Sequence, residues 1–116
     1  MVKLESLKKS YQFQKTLKEK RVHSEFFSIF ATKNFFQPEN KSSLLISFVM
    51  KKKIGNAVKR NKIRRKLKAI VQKLLKKRGA ISKDYTYIVL GKSNAYTQKQ
   101  TVLMPVMEKC FNKIKI

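Results

Sequence analysis

A chain of 116 residues with 29 Lys+Arg against 6 Asp+Glu, a formal net charge of +23, reads as one domain spanning residues 1–116 that needs a polyanion to neutralise it. Its 42% hydrophobic content, with only three Gly and two Pro, excludes a disordered basic tail. One Cys, Cys110, excludes a disulfide framework and a Cys-rich zinc site, and the absence of any run of about 18 apolar residues excludes a spanning helix. The N-terminus lacks the apolar stretch of a secretory signal, so the expected location is cytoplasmic, with nucleic acid rather than a membrane as partner.

Taken in chain order, Ser10 is placed to cap a short helix in which Phe13 and Leu17, four apart, share one face. Residues 26–31 are aromatic and β-prone and read as a strand. Gln37-Pro38-Glu39-Asn40-Lys41 is turn chemistry, and residues 44–50 beyond it read as a second, largely buried strand, so the two are expected to pair as a hairpin. From about Asn56 to Lys77 the apolar residues fall at Ile63, Leu67, Ile70, Val71 and Leu74, the spacing of a helix buried on one side, with Gly79 as its stop. Residues 84–90 read as a third strand, followed by a loop through Gly91 and Asn94. In residues 98–114, Leu103, Met107 and Phe111 are in register for a terminal helix, which Pro105 should kink or delay. The class is α+β, a two-layer sandwich of a small mixed sheet of three or four strands with about three helices.

Charge is concentrated in the middle of the chain, where no acidic residue lies between Glu39 and Asp84. On the central helix Asn61, Arg65, Lys68 and Gln72 share a face opposite Ile63, Ile70 and Leu74, flanked by Arg64 and Lys76 and preceded by Lys51-Lys52-Lys53. A merely solvated basic face mixes Glu among its Lys to relieve repulsion, and this one has none, so it is expected to face RNA. Gly55 permits a positive φ or a close approach to phosphate, and serves a plain strand-to-helix turn equally well.

The run from Met50 to Lys68 resembles the signature of the bacterial ribonuclease P protein subunit. That family carries Ser-Lys-Lys-x-Gly-Asn-Ala-Val-x-Arg-Asn-Arg-x-Lys-Arg-x-Leu-Arg, and here Lys52, Lys53, Gly55, Asn56, Ala57, Val58, Arg60, Asn61, Arg65 and Leu67 match outright. Lys51, Lys62, Arg64 and Lys68 replace its Ser, Arg, Lys and Arg. Charge is retained at the last three, but Lys lacks the planar bidentate fork of Arg, which shifts weight to Arg60, Arg64 and Arg65. The resemblance extends weakly to Phe13 and Leu17, to Phe27-Ser28-Ile29-Phe30 and to Lys83-Asp84-Tyr85, with Leu17 standing where the family has Phe.

The resemblance implies a basic helix set in a βαβ crossover, and the protein cofactor of a ribozyme that removes the 5′ leader of precursor tRNA. The implied partners are the ribonuclease P catalytic RNA and precursor tRNA, with no obligate protein partner. The implied cofactor is Mg2+, held mainly by the RNA. Lys52, Lys53, Asn56, Arg60, Asn61, Lys62, Arg64, Arg65 and Lys68 would bind RNA, and Phe13, Leu17 and Phe30 would line a leader cleft. Aromatic faces stack on unpaired bases at roughly 1 to 3 kcal/mol each, which suits that role, although ordinary core is the plain reading of those three residues.

The residues also argue independently against protein-borne catalysis. His23 is the only His, the carboxylates are scattered, and no acid/base pair or metal-ligand cluster shares one element, so His23 reads as a surface or RNA-contacting residue. A ribosomal or general RNA-binding protein would share the charge and size. A helix-turn-helix DNA reader does not suit the strand content.

Overall fold

The computed structural model describes residues 3–33, 43–77 and 79–115. In chain order these form Lys3–Glu5 (β1), Ser10–Lys18 (α1), Lys20–His23 (β2), Phe27–Lys33 (β3), Ser43–Met50 (β4), Ala57–Leu75 (α2), Tyr85–Gly91 (β5) and Gln100–Ile114 (α3). Short 3-10 turns occupy Lys52–Ile54 and Ser93–Tyr96. The strands make one mixed sheet in the order β1-β4-β5-β3-β2. The α+β class, the mixed sheet and the helices are as the sequence predicts.

β4 and β5 run parallel, from Ile46 opposite Tyr87 to Met50 opposite Gly91. Parallel neighbours need a crossover, and α2 supplies it, so the basic helix stands in the expected βαβ unit. β3 runs antiparallel to β5, from Phe27 opposite Gly91 to Lys33 opposite Tyr85. The expected hairpin between residues 26–31 and 44–50 is therefore corrected: β5 lies between those strands. The cause is burial, because β5 is buried on both faces along nearly all of its length, and a strand with two apolar faces is best satisfied at the centre of a sheet. The turn residues 37–41 lie outside the described residues.

The sheet has five strands rather than three or four. β1 and β2 are short and charged, each with a single apolar residue turned to the core, Leu4 and Val22. So little apolar alternation leaves no readable period, and it suits edge strands, whose charges discourage pairing with another chain.

Alternation along the strands gives each face its own core. Phe27, Ile29 and Ala31 of β3, Leu44, Ile46 and Met50 of β4 and Tyr85, Tyr87 and Val89 of β5 pack against α2 and α3. The predicted stripe Ile63, Leu67, Ile70, Val71 and Leu74 is fully buried there, as are Leu103, Met107 and Phe111. On the opposite face Phe30, Leu45 and Ile88 pack with Leu7 and the half-buried Phe13 of α1. Gly91 lets α2 approach: a Cβ there would collide with the Met50 thioether and come within 3.1 Å of Ile63 Cγ2.

The ends of the helices refine the prediction. Lys9 rather than Ser10 is the N-cap of α1, and Gln12 Oε1 accepts from the backbone N–H groups of Lys8 and Lys9 at 3.0 and 3.1 Å. A longer side chain reaching back from the first turn has displaced the simple serine cap. α2 stops at Leu75, and Gly79 beyond it takes a left-handed φ of 78°. α3 runs continuously through Pro105, which is exposed like Thr101, so water can take the carbonyl that Pro105 cannot bond.

Tyr87 joins the two halves of the larger core. Its hydroxyl donates to the Ser82 carbonyl at 2.6 Å and its ring meets Phe111 edge-on at 5.1 Å. Burial, with smaller contributions from Tyr85 and Asp84, pushes the phenol well above its ordinary value of 10.0. Above that value the unfolded chain releases a proton that the native state retains, so stability is present below about pH 10 and declines as pH rises beyond it. Denaturant unfolding between pH 8 and 11 should show this decline, and Tyr87→Phe should flatten it, leaving only the slope due to other groups.

Candidate nucleic-acid interface

The approach to α2 is set by a tight turn. After Met50 the lysine run enters the 3-10 turn Lys52–Ile54, and the Gly55 N–H closes it on the Lys52 carbonyl at 3.2 Å. Gly55 has φ 152°, and a Cβ there would stand 2.9 Å from Lys59 Cδ, so both backbone and space require glycine. Asn56 then caps the helix, its Oδ1 accepting from the Lys59 N–H at 2.9 Å. The sequence-derived RNA contact at Asn56 is thus first a cap, while Lys51, Lys52 and Lys53 remain exposed before it.

On α2 the structure sorts the basic residues into distinct rows. Lys59, Lys62, Lys66, Lys73 and Lys77 face the 3-10 turn Ser93–Tyr96 and α3, and each is engaged there. Lys59 donates to Ser93 Oγ at 3.1 Å, and the Lys59 and Lys62 ammonium groups stand 5.1 and 4.9 Å from the centroid of the Tyr96 ring. Lys66 donates to the carbonyls of Ala95, Tyr96 and Gln98 at 3.2, 2.5 and 2.7 Å. Burial, then the Lys62 charge, lowers the Lys66 pKa, while the three carbonyls favour the ammonium form. Further along, Lys73 donates to Gln100 Oε1 at 2.9 Å and Lys77 pairs with Glu108 at 3.1 Å.

The second row is Asn61, Arg65, Lys68 and Gln72, all exposed as the sequence predicts. Arg64 flanks it and donates from Nη1 to Asn61 Oδ1 at 2.8 Å, which fixes both side chains beside the exposed Val58. A shallow hollow is lined by Val58, Asn61, Arg64 and Arg65. Arg60 lies on the same flank, with its Nε buried and lacking a hydrogen-bond partner. Of the sequence-derived set, Asn61, Arg64, Arg65 and Lys68 are brought together, whereas Lys62 belongs to the engaged row.

The other candidate surface is the sheet face beneath α1. Phe13 is half-buried on it, Leu17 is 43% exposed on the flank of α1, and Phe30 is only 9% exposed, sealed by Leu7, Leu45 and Ile88. Its open part is the next cross-strand row, where Val49 and Leu90 are half-exposed. Leu90 continues into a cleft of about 400 Å3 lined also by Lys51, Lys53, Ile54, Gly91, Lys92 and Ser93. Sequence reasoning missed this continuation, because Lys51 and Lys92 come together only through the β4–β5 pairing. It also missed Tyr96 and Lys66, whose roles depend on where the turn after β5 docks.

Among the described residues no group of three or more His, Cys, Asp or Glu side chains could hold a metal ion, and no helix is long and apolar enough to cross a membrane. The family model for ribonuclease P matches residues 1–115. The chain belongs to the ribonuclease P protein family. Membership places this ribonuclease P protein in tRNA processing. It is 30% identical over 109 residues to the ribonuclease P protein component of Mycoplasma mycoides subsp. mycoides SC, covering 94% of each chain. It is 30% identical over 94 residues to that of Streptococcus pneumoniae, covering 78% of this chain and 73% of the relative. In fold it is similar to the RNase P protein of Thermotoga maritima, with a TM-score of 0.73 at 21% identity over 94% of this chain and 96% of that one. The Staphylococcus aureus RNase P protein gives 0.67 at 25% identity over 96% and 95%.

The division of α2 into rows has a direct consequence for this ribonuclease P protein. Lys66→Met strands three carbonyls and should cost roughly 1 to 3 kcal/mol of unfolding free energy. Arg65→Ala, on the open row, should change it by less than about 0.5 kcal/mol. Urea denaturation followed by circular dichroism compares the two.

Proposed function

We propose that this chain is the protein subunit that binds the catalytic RNA of ribonuclease P in the cytoplasm and assists removal of the 5′ leader from precursor tRNA. The observation that carries the reading is the open row of α2 in a family member. Asn61, Arg65 and Lys68, flanked by Arg60 and Arg64, stand in solvent with no acidic residue on the helix to neutralise them. RNA phosphates are the counter-charge that such a face takes, with Arg64 and Arg65 suited to bidentate contact. Lys52 and Lys53 extend the same field from the turn before the helix. Lys62 contributes charge from its seat on Tyr96.

Precursor tRNA is the proposed second RNA partner, its single-stranded leader lying along the sheet face between α1 and the lysine-lined cleft. There Phe13, Leu17 and Phe30 form the apolar wall and floor, and Lys51, Lys53 and Lys92 neutralise backbone charge. The phosphodiester is hydrolysed by the RNA subunit with Mg2+ held by its phosphates. This chain's residues bind, orient and lower repulsion between the two RNAs.

Two measurements test the proposal. Arg65→Ala with Lys68→Ala should weaken binding to the catalytic RNA and make the log–log salt dependence shallower by about 0.9 per lost phosphate contact, with thermal stability nearly unchanged. A loss of stability without a change in binding would remove α2 as the interface. At low magnesium, the protein should rescue cleavage of a 5′-extended precursor tRNA by its catalytic RNA and show no cleavage without that RNA. Tight RNA binding with no effect on rate or magnesium requirement would instead favour a ribosomal or general RNA-binding role.

A further inference from the structure

The sheet face beneath α1 holds one imidazole that the proposed function leaves unused. His23 ends β2, and its register partner is Ser28 on β3; two residues earlier Arg21 stands opposite Phe30. Alternation therefore puts Arg21, His23, Ser28 and Phe30 on the same face of the sheet. The His23 ring is held from two sides. Its Nδ1 lies 2.7 Å from the Oγ of the buried Ser28, and it meets the Phe30 ring edge-on at 6.0 Å and 83°.

An exposed side chain ordinarily samples several rotamers and loses that freedom on binding. His23 is exposed yet tethered beforehand by a hydroxyl and an aromatic edge. Either tautomer leaves Nδ1 occupied by Ser28, so Nε2, without a partner among the described residues, is the ring nitrogen left for a ligand. It sits at one end of a row crossing four strands. His23 pairs with Ser28, Ser28 with Leu90, and Leu90 with Val49. The row passes from one fixed polar atom over half-exposed apolar side chains, and at Leu90 it opens into the cleft of Lys51, Lys53 and Lys92. A polar atom, an apolar shelf and a group of ammonium ions in that order match a base edge, a base face and a phosphate of unpaired RNA.

We infer that His23 is a specificity-determining residue: its Nε2 hydrogen-bonds the edge of one unpaired nucleobase of the leader, resting on Leu90 and Val49, and Ser28 is the positioning residue that sets the ring. The inference rests on the leader-cleft reading above, and its test separates the two.

The experiment measures the affinity of the holoenzyme, full chain plus its catalytic RNA, for mature tRNA and for precursor tRNAs with each of the four bases at successive leader positions. For one leader position, His23→Ala should lower affinity for the preferred base by about tenfold, about 1.4 kcal/mol, and level discrimination among the bases. Mature tRNA binding should not change. Ser28→Ala should give a smaller loss with the same base pattern, a readout that a general packing defect would not produce. If His23→Ala weakens all four bases equally, or changes nothing while Leu90→Ala and Phe13→Ala weaken precursor binding, the inference is overturned and the leader cleft stands. If none of these variants separates precursor from mature tRNA, the leader-cleft reading falls, and the inference with it.

Discussion

α2 carries eight basic residues and no acidic one, and it must nevertheless dock on a sheet. Like charges spaced three and four residues apart destabilise an isolated helix, so this one depends on what its other sides touch. The buried stripe from Ile63 to Leu74 supplies the apolar contact, and Gly91 lets that stripe reach the sheet. The Lys59-to-Lys77 row is then absorbed by carbonyls, a tyrosine ring and a carboxylate on the segment after β5 and on α3. What remains is a single open row, held in place because the other two are satisfied.

The same arrangement sets the second surface. β5 is central because it is apolar on both faces, and its position brings the end of β4 beside the segment after β5. Lys51 and Lys53 on one side and Lys92 on the other thereby rim a common cleft, although they are far apart in the chain. The edge strand β2 adds Arg21 and His23 to the face that α1 leaves partly open. Basic helix, lysine-lined cleft and sheet face meet around the C-terminal ends of the two parallel strands.

Much of this was legible in the residues. The buried stripe of α2, its open row, the terminal helix and the buried strands follow from periodicity, because one-sided burial writes a period of 3.6 or 2 into the apolar residues. The stretch from Lys51 to Lys68 was legible as a signature, because a turn needing glycine, a cap needing Asn and a helix needing cations fall at fixed offsets. The strands β1 and β2 were not, since three or four charged residues at a sheet edge bury too little to impose a pattern.

The sequence by itself determined which helix is basic, which of its faces is buried and which family the chain resembles. The tertiary structure decided which cations are free. Lys62 and Lys68 are both lysines on one helix, and only the docking of the Ser93–Tyr96 turn engages the first and leaves the second in solvent. It also decided that β5 separates β3 from β4, that Phe30 is sealed while Leu90 is open, and that His23 is tethered by Ser28. Each is a contact between residues distant in the chain or in separate strands, and local periodicity carries no information about register, strand order or the landing place of a turn.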